Sequence, residues 1–258
     1  MSQPNNTISI LNPTIPVNQS IYETSTTQKT KLGARLAVGD RVYRYAVLGA
    51  SANVTAGDLL CATQPVASHQ SGLCTVAAAT TGAVKLTVTV GVAATKDQYA
   101  DGYLSIASAA LAGGGAIYKI KANAAIGSAA AGVVELYDSI PSSVGAGPVS
   151  LIPSQYKNVF VGSAGLDIPV GVAPIAVTTG EYFWLQTWGP ASAKHEGNTA
   201  AAAGLTLGTL GGVVAFSLGE TLGATGYAVT ATKILIGKNI HLAATATQCN
   251  PVMLMIAP

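Results

Sequence analysis

The sequence predicts a mainly β protein: an antiparallel β-sandwich or β-barrel body, an extended N-terminal arm and at most one or two short helices. Three observations support this class. Short runs alternate between apolar and polar residues, glycine-containing turns separate the runs, and only four short alanine runs could form helices. Many short strands with such turns favour antiparallel pairing over alternating βαβ units.

The clearest strand is VKLTVTV at 84–90, where every second residue is Val or Leu and the residues between them are Lys or Thr. This period of 2 is typical of a strand with one buried face. AIYKIKAN from residue 116 and VVELYD from residue 133 alternate in the same way. Further predicted strands are 41–48, 182–188, 213–218, 227–232, 233–236 and 252–256.

The chain organisation predicts an arm followed by a body. Residues 1–34 carry isolated hydrophobic residues without a period, so we expect an extended arm. The Pro-, Gly- and Ser-rich stretch 141–153 predicts a boundary between a first β-rich half, 35–147, and a second, 148–258. One continuous domain over 35–258 is the alternative. Gly-Val-Ala occurs at both 91–93 and 171–173, a weak sign that the halves are related.

Charge is the unusual feature of the composition. Lys, Arg, Asp and Glu make up 9% of the 258 residues, with 13 basic against 11 acidic side chains, where about 25% is ordinary. A nucleic-acid partner is not expected, because such proteins carry a dense Lys/Arg footprint. Interface cores are depleted of charge, so the composition favours a subunit with much of its surface in protein contacts.

Membrane and export signals are weak. The uncharged stretch 197–219 is long enough to span a bilayer, but its six glycines and its Thr, Ser and Asn residues favour short strands. The first twenty residues lack the basic and apolar regions of a signal peptide. We therefore expect synthesis in the cytoplasm and no association with a membrane.

The three cysteines, Cys61, Cys74 and Cys249, lack the spacing of a metal site. They are expected to be small buried residues.

No catalytic, metal or cofactor motif stands out. The carboxylates are scattered near turns, and the only adjacent His-acid pair, His195 and Glu196, lacks metal-ligand spacing. The sequence therefore predicts a non-enzymatic protein with no catalytic residue, metal or cofactor. A hydrolase using His195 or Glu196 stays open as an alternative, because distant residues can converge in a fold.

One local excess of positive charge lies where the arm enters the body. It consists of Lys29, Lys31, Arg35, Arg41 and Arg44. Clustered charge on an extended segment can steer association with an acidic protein surface. The alternative is a solvated segment with no partner.

The most distinctive segment is EYFWLQTWGP at 181–190, which contains both tryptophans of the chain. As a strand ending at Gly189, it would place Tyr182, Trp184 and Trp188 on one face. Three roles remain open for these rings: a core filled by large side chains, a subunit interface, or a carbohydrate platform.

These residues also carry a family resemblance. The segments that carry it are 182–190, 171–173, the Gly-Asp pairs at 39–40 and 57–58, and 99–104. They resemble virion structural proteins of tailed bacteriophages, most closely the β-rich capsid decoration, or cement, proteins. The resemblance covers about residues 35–190; the arm and the C-terminal third are additions to the small decoration proteins.

The resemblance implies a role on the virion. On this resemblance we expect a non-enzymatic β-domain that forms a homo-oligomer, often a trimer, on the outer capsid surface. There it would bind the major capsid protein and tie neighbouring subunits together. A host-adhesion subunit, or a head-fibre or tail-associated subunit that binds carbohydrate, is the alternative.

Overall fold

The computed structural model describes residues 19–161, 168–194, 212–214, 235–240 and 249–258. Antiparallel strands dominate these residues, which confirms the predicted mainly β class. Their one helical segment is a single 3₁₀ turn, Ala67–His69. The alanine runs at 76–79, 107–112 and 129–131 lie in turns and strands, and the run at 200–203 lies outside the described residues.

The described residues contain fifteen strands. In chain order, β1 to β15 are Arg35–Val38, Arg41–Val47, Leu59–Cys61, Cys74–Val76, Lys85–Val90, Tyr103–Ile106, Ile117–Asn123, Ala130–Leu136, Gly147–Ile152, Phe160–Val161, Pro169–Val172, Tyr182–Lys194, Gly212–Val214, Leu235–Asn239 and Cys249–Met255.

The chain folds into two compact units, one of which is inserted in the sequence of the other. The inserted unit is Ala62–Lys157. This differs from the predicted halves, because the supposed linker 141–153 contains β9, which pairs with β4 and β6. The strand's own alternation, with Val149 and Leu151 buried, was obscured by the surrounding Pro, Gly and Ser residues.

The inserted unit is a closed antiparallel barrel with strand order β4-β5-β8-β7-β6-β9. On β5, Leu86, Val88 and Val90 are buried while Lys85, Thr87 and Thr89 are exposed, as the sequence predicts. The predicted inward residues of β8, Val134 and Leu136, are buried too. The inward residues of β5 and β8 therefore follow from the period of 2 in their sequences.

The other unit contains a nine-stranded sheet. Its main path is β10-β3-β11-β12-β15-β14-β13, with β1 and β2 attached through β12. Strand β12 pairs with β2, β11 and β15, so it organises the unit. One of its core clusters joins Val172, Val252 and Leu254.

The described part of the predicted arm, residues 19–34, packs on this sheet. Ile21 and Leu32 are buried, and Ser25 exchanges backbone hydrogen bonds with Tyr182 at 2.9 and 2.7 Å. The Gln19 side chain accepts a hydrogen bond from the Tyr45 hydroxyl at 2.7 Å. These residues belong to the body, which corrects the predicted arm boundary at residue 34. Residues 1–18 lie outside the described residues.

Strand β12 does not end at Gly189, as the sequence predicts, but continues to Lys194. Its register against β2 shifts between Gln186 and Trp188, leaving Thr187 as an extra residue in a bulge. Gly189 has a φ of +85°, and an added Cβ would lie 2.3 Å from the Asp40 carbonyl oxygen. Glycine therefore lets the two backbones meet without interrupting the strand.

Two similar turns face each other in this unit. Val54 and Val177 each donate a backbone N–H to the other's carbonyl at 3.0 Å. Each begins a Val-Thr-x-Gly-acid sequence in which the acid accepts the Thr N–H: Asp58 from Thr55 at 2.7 Å and Glu181 from Thr178 at 3.0 Å. The two copies of Gly-Val-Ala, by contrast, differ in structure: residues 91–93 follow β5 outside any strand, whereas residues 171–173 begin in strand β11.

Cys61 and Cys74 are buried, as expected, but Cys249 is exposed at the start of β15. No helix among the described residues is long and apolar enough to cross a membrane. Most of the stretch 197–219, and the predicted strand 227–232, lie outside those residues.

Candidate functional site

The basic residues do not form one arm surface. Lys29, Lys31 and Arg35 are exposed, whereas Arg41 and Arg44 lie half-buried on β2. Arg35 and Arg44 are direct cross-strand partners. The Arg44 guanidinium donates to the carbonyl oxygens of Gly33 at 3.2 Å and Pro258 at 3.1 Å, so it holds chain segments together. Only the first three residues are placed to meet a partner.

The predicted aromatic face is divided between core and surface. Trp184 is fully buried: its indole N–H donates to the Gln19 carbonyl at 3.1 Å, and its ring meets Tyr45 edge-on at a 5.0 Å centroid distance. Tyr182, half-buried, stacks on the other side of Tyr45 at 6.0 Å. Of the three roles open for Trp184, the structure selects the core, so it is neither an interface anchor nor a sugar platform.

Trp188 has different surroundings because the bulge at Thr187 lies between it and the core rings. It is half-buried and directly opposite Met255 in β15, while Pro190 is opposite Met253. Opposite residues of an antiparallel pair share a face, and so do residues two apart. Met253 is 38% exposed and Met255 43%. We call this apolar surface, Trp188, Pro190, Met253 and Met255, the Trp188 face.

A cleft of about 360 Å³ opens in the same unit. Its walls are mostly apolar, but Arg41, Gln186 and Ser192 contribute polar groups. The described lining residues are Tyr22, Arg41, Ala56, Gly57, Val172, Ala173, Pro174, Gln186, Pro190, Ala191, Ser192, Cys249 and Pro251.

An ion pair lies at the end of β12, where Lys194 is 2.9 Å from the Asp58 carboxylate. The Lys194 amine also donates to the Thr55 hydroxyl, and Asp58 accepts from that hydroxyl at 3.0 Å. These bonds hold the Thr55–Asp58 turn against β12. Their role is structural.

In the barrel, His69 is fully buried between two oxygens. Its Nε2 is 2.7 Å from the Val92 carbonyl, and its Nδ1 contacts the Tyr99 hydroxyl. A carbonyl only accepts, so Nε2 carries a proton, and in the neutral imidazole Nδ1 is then the acceptor for the Tyr99 hydroxyl. Burial raises the pKa of Tyr99, which keeps the phenol protonated as a donor. Both nitrogens of His69 are thus satisfied inside the fold.

Among the described residues, no three His, Cys, Asp or Glu side chains form a cluster able to hold a metal. The pair His195 and Glu196, on which a hydrolase was hypothesised, lies outside the described residues. The sequence interpretation missed Tyr22, Met253 and Met255, and it considered Gln186 only as a polar neighbour of the aromatic rings. The partners of Gln186 and the exposure of the methionines depend on the bulge and on the β12–β15 register, which no local pattern reveals.

Comparison with known proteins adds no relative: no family model, no curated protein and no solved structure matches this chain.

Proposed function

We propose that this chain is a non-enzymatic virion structural protein that decorates a phage capsid, binding the major capsid protein and associating with itself, with a trimer favoured. The observation that carries the proposal is the Trp188 face, because an exposed row of Trp, Pro and Met side chains is costly unless a partner covers it. Interfaces between identical subunits are the more apolar class. We therefore assign this face to self-association.

The capsid contact is assigned to different residues. Lys29, Lys31 and Arg35 are exposed beside the entry of the N-terminal segment. Exposed basic groups attract an acidic protein surface and accelerate encounter. The predicted role of residues 1–18 in this contact stays a prediction, because they lie outside the described residues.

The composition supports an assembly subunit of this kind. Charged residues make up only 9% of the chain. Assembly explains this low charge, because surfaces buried in subunit contacts are depleted of charge. The sequence resemblance to decoration proteins leads to the same function.

Sedimentation of the purified chain tests self-association. We expect a defined oligomer that becomes monomeric when Met255 is replaced by Lys, because a buried unpaired charge opposes the contact. Ile117→Lys, on a strand of the barrel where the side chain is 58% exposed, is the control and should leave the oligomer intact. A monomeric wild-type chain, or an oligomer unaffected by Met255→Lys, contradicts the assignment.

Attachment to the capsid is tested with particles assembled from the major capsid protein. We expect the wild-type chain to co-sediment with them, and the triple variant Lys29→Gln, Lys31→Gln, Arg35→Gln to bind at least about tenfold more weakly at low salt. A cryo-electron microscopy map of the native particle would place the subunit directly. A particle without this chain on its outer surface would refute the proposal.

The alternative of a host-adhesion or head-fibre or tail-associated subunit cannot use the ring pair first hypothesised. Trp184 is fully buried, so Trp188 would lack its partner ring. A carbohydrate site in this unit would need other residues.

A further inference from the structure

Arg41 lines the cleft and forms no salt bridge, although its neighbour Asp40 lies close enough to act on its charge. Hydrogen bonding with the Tyr22 side chain raises the pKa of Arg41, and the guanidinium carbon lies 5.8 Å from the centroid of the Tyr43 ring. The ion pairs of the described residues are Lys121 with Glu135 and Lys194 with Asp58, so Arg41 is not in one. A planar guanidinium is the side chain best suited to bind a carboxylate through two parallel hydrogen bonds.

Gln186 offers the cleft a hydrogen-bond acceptor. The residue is only 4% exposed, and its amide nitrogen donates to the carbonyl oxygens of Trp188 at 3.2 Å and Pro190 at 2.7 Å. These two acceptors fix which end of the amide is the nitrogen. The amide oxygen accepts no hydrogen bond from a described residue. A ligand that satisfies it must carry a donor such as a hydroxyl group.

The walls of the cleft indicate a third property of the ligand, an apolar face. Tyr22, which is 60% exposed, lines the cleft, and Pro174 and Pro251 give rigid apolar surface. The volume of about 360 Å³ lies within the usual range of small-ligand sites, roughly 300–1,000 Å³. The ligand should therefore combine an apolar face with its polar groups.

We propose that this cleft binds a saccharide that carries a carboxylate. The carboxylate pairs with Arg41, a ring hydroxyl donates to the Gln186 amide oxygen, and the C–H face of the sugar packs on Tyr22. A simple anion would leave the Gln186 acceptor and the apolar walls unused, and a neutral sugar would offer Arg41 no carboxylate. The proposal goes beyond capsid decoration and does not depend on it.

A matched pair of probes tests the carboxylate. Methyl β-D-glucuronide and methyl β-D-glucoside differ only in the group at C6, and their binding to the full chain is followed by two-dimensional ¹H–¹⁵N NMR titration. We expect the glucuronide to bind at least about tenfold more tightly, which corresponds to about 1.4 kcal/mol. Shifts should cluster at the backbone amides of Tyr22, Arg41 and Ser192.

Two variants and one control locate the site. Arg41→Gln should abolish the preference for the glucuronide. Tyr22→Ala should weaken the binding of both sugars. Because Tyr22 is mostly exposed, its replacement should not prevent folding, so this variant still tests the proposal if Arg41→Gln does not fold. Arg35→Gln removes the same charge outside the cleft and should bind like the wild type.

Three results would overturn the proposal. One is the absence of a saturable shift with the glucuronide, and another is equal affinity for the two sugars. The third is equally tight binding of N-acetyl-aspartate amide, which would show a general carboxylate site with no preference for sugars.

Discussion

The indole N–H of Trp184 donates a hydrogen bond to the main-chain carbonyl of Gln19, 165 residues earlier in the chain, at a distance of 3.1 Å. The Gln19 side chain in turn donates to the Tyr182 carbonyl at 2.9 Å and accepts from the Tyr45 hydroxyl. This network joins the described N-terminal segment to β2 and β12. It makes residues 19–34 part of the sheet unit.

Two truncations of the N-terminal segment should differ in their effect on thermal stability. Deleting residues 1–18 retains every bond of Gln19 and the buried side chain of Ile21, so we expect the midpoint of thermal unfolding to stay within about 2 °C. Deleting residues 1–30 removes those contacts and exposes Trp184 and Tyr45, so the midpoint should fall by about 8 °C or more. Tryptophan fluorescence reports this unit alone, because both tryptophans lie in it. Equal melting of the two truncations would contradict the docking of residues 19–34.

The two tryptophans should respond very differently to truncation of the side chain. Trp184→Ala should lower the free energy of unfolding by about 3–5 kcal/mol, because it empties a core site and removes a hydrogen bond. Trp188→Ala should cost only about 1 kcal/mol in the monomer, because that ring is half-exposed. Urea unfolding monitored by circular dichroism gives both values. Similar costs would mean that the ring environments are not as described.

Two glycines with the same backbone conformation provide a test of the β12 crossing. Gly189 and Gly180 have φ values of +85° and +81°, but an added Cβ meets the Asp40 carbonyl only at Gly189, and nothing within 4 Å at Gly180. Gly180→Ala should cost about 1 kcal/mol from backbone strain alone. Gly189→Ala should cost at least about 3 kcal/mol, because β2 must move away. Equal losses of stability in the two variants would contradict the close approach of Gly189 to the Asp40 carbonyl.

The barrel should lose stability at alkaline pH. Burial raises the pKa values of Tyr99 and Cys74, so the folded barrel keeps protons that the unfolded chain releases. This contribution is complete below the ordinary pKa of each group, about 8.5 for Cys and about 10 for Tyr, and declines as the pH rises above it. Urea unfolding followed by far-ultraviolet circular dichroism between pH 8 and 11 would measure the decline.

Tyr99→Phe is the variant that isolates this effect. It should lower the stability at pH 7 by about 1–3 kcal/mol, because Nδ1 of His69 loses its buried donor, yet it should reduce the alkaline slope. Tyr103→Phe, 40% exposed on β6, is the matched control and should keep the wild-type slope. An unchanged slope in Tyr99→Phe would assign the alkaline loss to other groups.

The alternation of apolar and polar residues in the sequence predicted much of the fold but little of the candidate site. The alternation in β5 and β8 fixed which residues enter the barrel, because a strand with one buried face must place every second side chain inside. The same period wrongly placed Trp184 and Trp188 on one face of a predicted strand, because the extra residue Thr187 changes the register between them. A bulge depends on the partner strand, and Val42 of β2, which the Thr187 hydroxyl contacts, is 145 residues away in the sequence.

The sequence by itself determined a mainly β protein of low charge, whose strands follow from residue period and whose turns follow from glycine. Only the tertiary structure decided that residues 62–157 are inserted in the other unit. It also decided that Trp184 is core and that Arg41, Tyr22 and Gln186 meet in one cleft. The physical reason is that strand period is a property of neighbouring residues, whereas pairing partners, burial and clefts are set by contacts between segments far apart in the chain.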